Sequence, residues 1–103
     1  MSEGANDPPD AEGGEVVELP IDGVLDLHTF APRDLKELLP AYFDACLERG
    51  IVEVRVIHGK GTGQLRASVE SILRRLPTVR AFRLGRPEEG GWGATLVELQ
   101  PRP

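Results

Sequence analysis

The sequence predicts a two-layer α/β sandwich of order βαβαββ, in which two helices cover one face of a mixed four-stranded sheet. Residues 24–28 and 51–57 alternate apolar and polar side chains with the period of two that is typical of a half-buried strand. Each is followed by a segment whose apolar residues recur with the helical period. Two further strands are expected at 79–84 and 92–99, on either side of a glycine-rich loop.

The first strand and helix are defined by their apolar residues. Leu25 and Leu27 share one face of the strand. Pro32 is typical of a helix start, and Gly50 is typical of the residue that follows a helix end. Pro40 removes one backbone donor, so we expect a kink or a restart of the helix there. The apolar stripe between these ends consists of Leu35, Leu38, Leu39, Tyr42, Cys46 and Leu47.

The second half of the domain follows the same logic. The helical crossover makes the strand at 51–57 parallel to the first, if the two strands share a sheet. The next helix is expected over residues 63–76, because Pro77 stops it. Residues 85–91 predict a mobile loop. The last two strands are expected to pair antiparallel as a long hairpin.

Length and composition indicate one domain with a separate tail. Residues 1–20 carry six acidic and no basic side chains, and we expect them to be mostly disordered. Residues 21–101 form the expected domain. No apolar run approaches the roughly 18 residues of a membrane span and no signal peptide is visible, so we expect no membrane partner. The single Cys46 excludes an intramolecular disulfide, favours a packing role and points to the cytoplasm.

Positive charge is concentrated in the second half of the chain. Between Arg55 and Arg86 eight basic residues stand against Glu70 alone. Such a one-sided block predicts a phosphate-binding surface, although a solvated arginine-rich face is the alternative. Three of these arginines fall on the outer surface of the second helix, and they are candidate phosphate ligands: Arg66, Arg74 and Arg75.

A glycine-rich turn joins the second strand to the second helix. It spans residues 58–63, with glycines at every second position, so its backbone amides can approach an anion closely. A helix that begins at its end adds a favourable dipole. The Walker lysine motif and the dinucleotide-binding fingerprint both fail to match. The candidate phosphate-binding residues in the turn are Gly59, Lys60, Gly61, Thr62 and Gly63.

The topology brings chemically active side chains to one edge of the sheet. Asp26 and His28 end the first strand, and His58 and Lys60 follow the second. A histidine oriented by a carboxylate suits general acid–base catalysis, and a lysine stabilises charge on phosphoryl oxygens. Each residue also has a purely structural alternative, such as capping or hydrogen bonding. The aspartate and both histidines could instead hold a divalent cation such as Mg²⁺.

The motifs resemble those of the Smr (small MutS-related) domain family. The resemblance rests on the segments 25–28, 58–66 and 90–97, and it covers about residues 21–101. It implies a fold like the C-terminal domain of translation initiation factor three. It also implies site roles for Asp26, His28, His58, Gly59, Lys60 and Gly61. Thr29 stands where many members have glycine, which we expect to narrow the cleft.

Two functions remain open at this point. The family includes endonucleases that nick DNA or cleave RNA, so the resemblance implies a nuclease that hydrolyses phosphodiesters, with Asp26, His28 and His58 as catalytic residues. The alternative is a non-catalytic module that binds DNA or RNA. A protein-interaction adaptor that uses Trp92 and the glycine loop is a third interpretation.

Overall fold

A computed structural model of the protein describes residues 19–101, so nearly all of the expected acidic tail lies outside the described residues. Within this range the chain follows the predicted βαβαββ order. The elements are β1 (Val24–Asp26), α1 (Leu35–Glu48), β2 (Glu53–Ile57), α2 (Gln64–Leu73), β3 (Val79–Leu84) and β4 (Ala94–Leu99).

The four strands form one mixed sheet in the order β1-β2-β4-β3. β1 and β2 are parallel, as the crossover predicts, and Asp26 lies opposite Ile57 in their register. β4 pairs antiparallel with both β2 and β3, which confirms the expected hairpin. The pairing of β3 is irregular between Val79 and Ala81. Because β1 and β2 are parallel neighbours, their carboxyl ends lie side by side.

One face of the sheet is buried beneath both helices. Val54 and Val56 are inaccessible to solvent, whereas Glu53, which precedes them in the same strand, is exposed. Cys46 is fully buried in α1, as expected, and burial raises the pKa of its thiol. Burial of each large aliphatic side chain stabilises the fold by about 1.5–3 kcal/mol. The helices contribute Leu35, Leu39, Tyr42, Phe43, Val69 and Leu73 to this core.

Several element ends differ from the prediction. β1 stops at Asp26 because the chain turns there, with the Phe30 amide donating to the Leu27 carbonyl at 3.1 Å. α2 ends at Leu73, three residues before the predicted end. The restart expected at Pro40 is wrong, since α1 runs through this residue as one helix.

The mobile loop expected at 85–91 is replaced by two short 3-10 turns, Pro87–Glu89 and Gly91–Gly93. Arg83 donates two hydrogen bonds to the Glu89 carboxylate, at 2.8 and 3.0 Å. The Arg86 amide donates a third, at 2.8 Å. The Arg83 bonds, followed by the Arg86 bond, lower the pKa of Glu89 to about 2. The segment is thus tied to the end of β3.

Among the described residues, no helix has the length and apolar character needed to cross a membrane.

Candidate functional site

The two histidines line one cleft at the carboxyl ends of β1 and β2. The Leu27 amide donates to the Ile57 carbonyl at 3.0 Å, so His28 and His58 follow adjacent positions in neighbouring strands. The cleft has a volume of about 390 Å³. It lies between the segment after β1 and the start of α2, and is lined by Leu27, His28, Phe30, Pro32, His58, Thr62, Gln64, Leu65 and Ser68.

Asp26 orients His28 on the exposed side of the cleft. One carboxylate oxygen accepts a hydrogen bond from the His28 amide at 2.9 Å and also contacts the imidazole Nδ1. These two contacts lower the pKa of Asp26, the amide bond most, so the carboxylate is ionised at neutral pH. Nδ1 must then be the donor, which leaves Nε2 of the neutral ring with a lone pair. The His28 side chain is 69% exposed, so this nitrogen is accessible to a ligand.

His58 is held more tightly, with only 8% of its surface exposed. Its Nδ1 lies 3.0 Å from the Gly59 carbonyl, which can only accept, so Nδ1 is the donor. Its Nε2 lies 2.8 Å from the hydroxyl of buried Thr95 and accepts a hydrogen bond from this hydroxyl when the ring is neutral. Both ring nitrogens are therefore occupied. Thr95 was missed from the sequence, although a polar residue on the buried face of a strand was the available signal.

The glycine turn is bound to a second glycine segment. The amides of His58 and Gly59 donate to the Gly93 carbonyl at 3.0 and 2.8 Å. The Gly59 amide is thus unavailable to the anion nest expected there. Gly63 precedes α2 with a φ of 89° and has no side chain to cap the helix, while the Gln64 amide donates to the Thr62 hydroxyl at 3.4 Å. Because the first turn of α2 also lacks an acidic residue, its N-terminus is the part of this segment that attracts an anion.

Lys60 packs against the same glycine segment. A Cβ placed on Gly93 would lie 3.0 Å from the Lys60 Cγ, so the absence of a side chain there makes room for the lysine stem. The Lys60 ammonium lies 5.8 Å from the centroid of the Trp92 ring. Gly61 and Thr62 are exposed beyond it, and Thr62 lines the cleft. Thr29 is exposed and does not line the cleft, so it does not narrow it as expected.

The basic block at 55–86 does not form one uniformly positive surface. Carboxylates inside and just beyond the block neutralise part of it. Arg66 is partly buried rather than on the outer surface, and its Nε has no hydrogen-bond partner among the described residues. Three arginines are ion-paired: Arg74 with Glu70 (3.6 Å), Arg80 with Glu98 (2.9 Å) and Arg83 with Glu89 (2.8 Å).

A groove between the two helices extends the histidine cleft. Its volume is about 370 Å³, and it shares Pro32 and Ser68 with the cleft. Lys36 from α1 and Arg75 from α2 line its far part, and none of the described residues that line the two cavities is a carboxylate. Arg74, in contrast, lies with its guanidinium 5.7 Å from the centroid of the Phe82 ring. Arg74 and Arg75, which the sequence analysis grouped together, therefore lie in different surroundings, and of the two Arg75 lines the groove.

The opposite face of the sheet carries a cavity of a different character. Its volume is about 280 Å³, and three carboxylates line it against a single arginine. These residues are Glu53, Glu89, Glu98 and Arg83. A polyanion is repelled there and attracted to the groove between the helices.

No group of three metal-ligating side chains exists among residues 19–101. Asp26 contacts His28, whereas both nitrogens of His58 bond to Gly59 and Thr95. The three side chains considered as ligands for a divalent cation thus do not converge on one point.

The fold and this sheet edge define a small α/β domain with a carboxylate-oriented histidine beside a glycine turn. The family model for the Smr domain matches residues 25–100, and the chain belongs to this family.

Relatives and solved structures agree with this assignment. The chain is 41% identical over 76 residues to endonuclease MutS2 of Halothermothrix orenii, a match that covers 74% of this chain and 10% of that protein. MutS2 of Clostridium tetani is 52% identical over 59 residues, which are 57% of this chain and 8% of that protein. The chain thus spans about a tenth of the length of these curated relatives.

Two solved structures share the fold. The crystal structure of the Smr domain of Thermus thermophilus MutS2 superposes with a TM-score of 0.72 at 32% identity, over 78% of this chain and all of that chain. YdaL, a stand-alone small MutS-related protein from Escherichia coli, superposes with a TM-score of 0.64 at 26% identity. That match covers 76% of this chain and 64% of YdaL.

Proposed function

We propose that this Smr domain binds the backbone of DNA or RNA in the histidine cleft and cleaves it by phosphodiester hydrolysis. The observation that carries the proposal is the exposed His28, oriented by Asp26 and facing the same cleft as His58. The names of the MutS2 relatives, which are endonucleases, support the same class of reaction.

The proposed reaction uses His28 as the general base. Its Nε2 takes a proton from a water molecule, whose oxygen forms a bond to phosphorus while the bond to the leaving oxygen breaks. Lys60 and the N-terminus of α2 stabilise the charge that develops on the phosphoryl oxygens. The leaving oxygen takes a proton from solvent or from His58, and His58 can donate from Nε2 only when its ring is protonated and the contact with Thr95 has opened.

The proposed path of the strand continues along the groove between the helices. Lys36 and Arg75 provide the positive charge there, and within residues 19–101 no acidic side chain lines either cavity. Neither of the two cations has an ion-pair partner within residues 19–101. Unpaired cations beside a groove are suited to phosphate contacts that fix position rather than sequence.

A non-catalytic binding module is the second candidate, and the state of His58 favours it. Because both ring nitrogens of His58 are hydrogen-bonded, His28 is the one imidazole of the cleft whose Nε2 is open to a ligand. A single accessible imidazole can donate a hydrogen bond to phosphate from its protonated form without activating water.

Incubation with supercoiled plasmid and with structured RNA, each with Mg²⁺ or with EDTA, distinguishes the two candidates. If the domain is a nuclease, His28→Ala lowers cleavage by about 10²–10⁴-fold. Binding and thermal stability stay nearly unchanged, because the side chain is exposed. His58→Ala lowers both cleavage and stability, since it leaves the Thr95 hydroxyl without its partner.

Binding of either substrate without cleavage under all these conditions supports the non-catalytic module. Cleavage that survives His28→Ala at the parent rate contradicts the proposed role of His28.

A further inference from the structure

Trp92 is a large aromatic side chain left open to solvent at the edge of the site. Its side chain lies in the Gly91–Gly93 turn and is 51% exposed, more than any other large hydrophobic residue that the structure describes. Trp92 belongs neither to the buried core nor to the hydrophobic residues packed against it, so the core does not depend on its side chain. An exposed indole beside a candidate site is a candidate contact for a ligand.

The turn that carries Trp92 is rigidly connected to the site. The next residue, Gly93, accepts the amide bonds of His58 and Gly59. On the other side, the Gly91 amide donates to the Arg86 carbonyl at 2.8 Å. The backbone at Trp92 is therefore held at a fixed position relative to the glycine turn at 58–63.

A cation lies directly beside the ring. The Lys60 ammonium is 5.8 Å from the Trp92 ring centroid, and both its Nζ and Cε would lie 3.8 Å from a Cβ on Gly91. A lysine beside an aromatic ring is the pair that single-stranded nucleic acids use, since the cation contacts a phosphate and the ring stacks on a base. Stacking tolerates any sequence, because every base has a π-face.

We propose that Trp92 stacks on an unpaired base of the bound strand while Lys60 contacts a neighbouring phosphate. The site then favours single-stranded or unpaired nucleotides over an intact duplex, whose bases are already stacked on one another. This inference rests on the proposed binding of nucleic acid in the cleft, and it names the form of nucleic acid that the cleft selects.

The chain contains one tryptophan, so selectively excited tryptophan fluorescence reports on Trp92 alone. Full-length protein is titrated with a fluorescently labelled oligothymidylate, with an abasic oligomer of the same length, and with a duplex. Anisotropy of the label measures affinity, while unlabelled oligomers are used to follow the tryptophan emission. The expected result is strong quenching by the oligothymidylate and little quenching by the abasic oligomer or the duplex.

Substitutions provide the second measurement. Trp92→Ala is expected to weaken oligothymidylate binding by about 5- to 100-fold and to leave abasic binding nearly unchanged. Trp92→Phe keeps a smaller ring, so its affinity for the oligothymidylate is expected to lie between those of the parent and the alanine variant. It replaces the alanine variant in this test if that variant folds poorly. Val52→Ala is the control. It removes an exposed hydrophobic side chain next to the amino end of β2, whereas the cleft lies at the carboxyl end of this strand.

Unchanged tryptophan emission together with parent affinity in both Trp92 variants overturns the stacking role and leaves the proposed nucleic-acid site intact. Equal quenching by the abasic oligomer also overturns it, since the effect then comes from phosphate alone. Absence of binding to all three probes removes the proposed function and this inference together.

Discussion

At the scale of single residues, the cleft separates groups that serve folding from groups that serve a ligand. His58 and Thr95 satisfy each other in the interior, so their loss affects stability first. His28 and Asp26 form an exposed pair, so their loss affects chemistry first. The glycines of the turn divide in the same way. Gly63 requires its left-handed backbone, whereas Gly61 has neither a positive φ nor a neighbour within 4 Å of an added Cβ.

Substitution of these two glycines distinguishes folding from binding. Gly63→Ala is expected to destabilise the domain by about 1–2 kcal/mol, because an alanine is strained at this backbone conformation. Gly61→Ala is expected to leave stability unchanged or slightly raised, and to weaken oligonucleotide binding by filling the space through which a phosphate approaches. Urea unfolding and anisotropy titration measure the two effects. Equal loss of stability in both variants would contradict the distinction.

At the scale of elements, the segment from Arg86 to Gly93 is as important to the site as the strands. It carries Trp92, and its last carbonyl holds the turn after β2. Its fold depends on the Glu89 carboxylate, whose pKa is lowered from 4.5 to about 2, chiefly by the Arg83 hydrogen bonds. Since the folded pKa is below the unfolded one, this stabilisation is complete above about pH 5 and is lost as the pH falls toward 2.

Glu89→Gln is therefore expected to lower the urea midpoint of unfolding at pH 7. The difference between this variant and the parent is expected to shrink as the pH falls from about 4.5 toward 2. Glu88→Gln, which removes the same charge at the neighbouring position, is the control. A difference that stays constant across this pH range would show that the carboxylate bonds do not stabilise the segment.

The sequence predicted the existence and order of the elements because apolar periodicity is a local signal. Leu25, Val54 and Val56 identify their strands without reference to the rest of the chain. Element ends were harder to predict, because long-range bonds determine them. The start of β4 at Ala94 depends on the Gly93 carbonyl accepting two amides from a turn more than thirty residues earlier in the sequence.

The same contrast between local and long-range signals applies to the candidate site. Topology predicted that His28 and His58 share one sheet edge, and the structure brings both into one cleft. The roles of Thr95 and Lys36 depend on packing between distant segments, so the sequence alone did not assign them.

At the scale of the whole molecule, the distribution of paired and unpaired charge determines which surface suits a polyanion. The sequence-based expectation treated Arg74 and Arg75 as equivalent. In the structure Arg74 pairs with Glu70, whereas Arg75 lines the groove between the helices together with Lys36. Paired arginines bring little net field, so the surface near the unpaired cations attracts phosphate.

Neutralising the groove cations should reduce the salt dependence of binding. For Lys36→Gln combined with Arg75→Gln, the slope of log affinity against log salt is expected to flatten by about 1.4–1.8, because each phosphate contact contributes about 0.7–0.9. Arg74→Gln combined with Arg80→Gln removes the same charge from ion-paired positions and should flatten the slope much less. Equal flattening by both pairs would mean that the groove has no special role.

The central claim is that nucleic acid binds on the helix-covered side of the sheet edge, in the histidine cleft and the groove that continues it. Amide chemical-shift mapping by NMR tests this claim most directly, with isotope-labelled full-length protein titrated with an unlabelled oligothymidylate. The account predicts that the largest shifts fall on the lining of the cleft and groove, at His28, Thr62, Gln64, Ser68 and Arg75. Shifts concentrated instead on the acidic sheet face, at Glu53, Arg83 and Glu98, would contradict it.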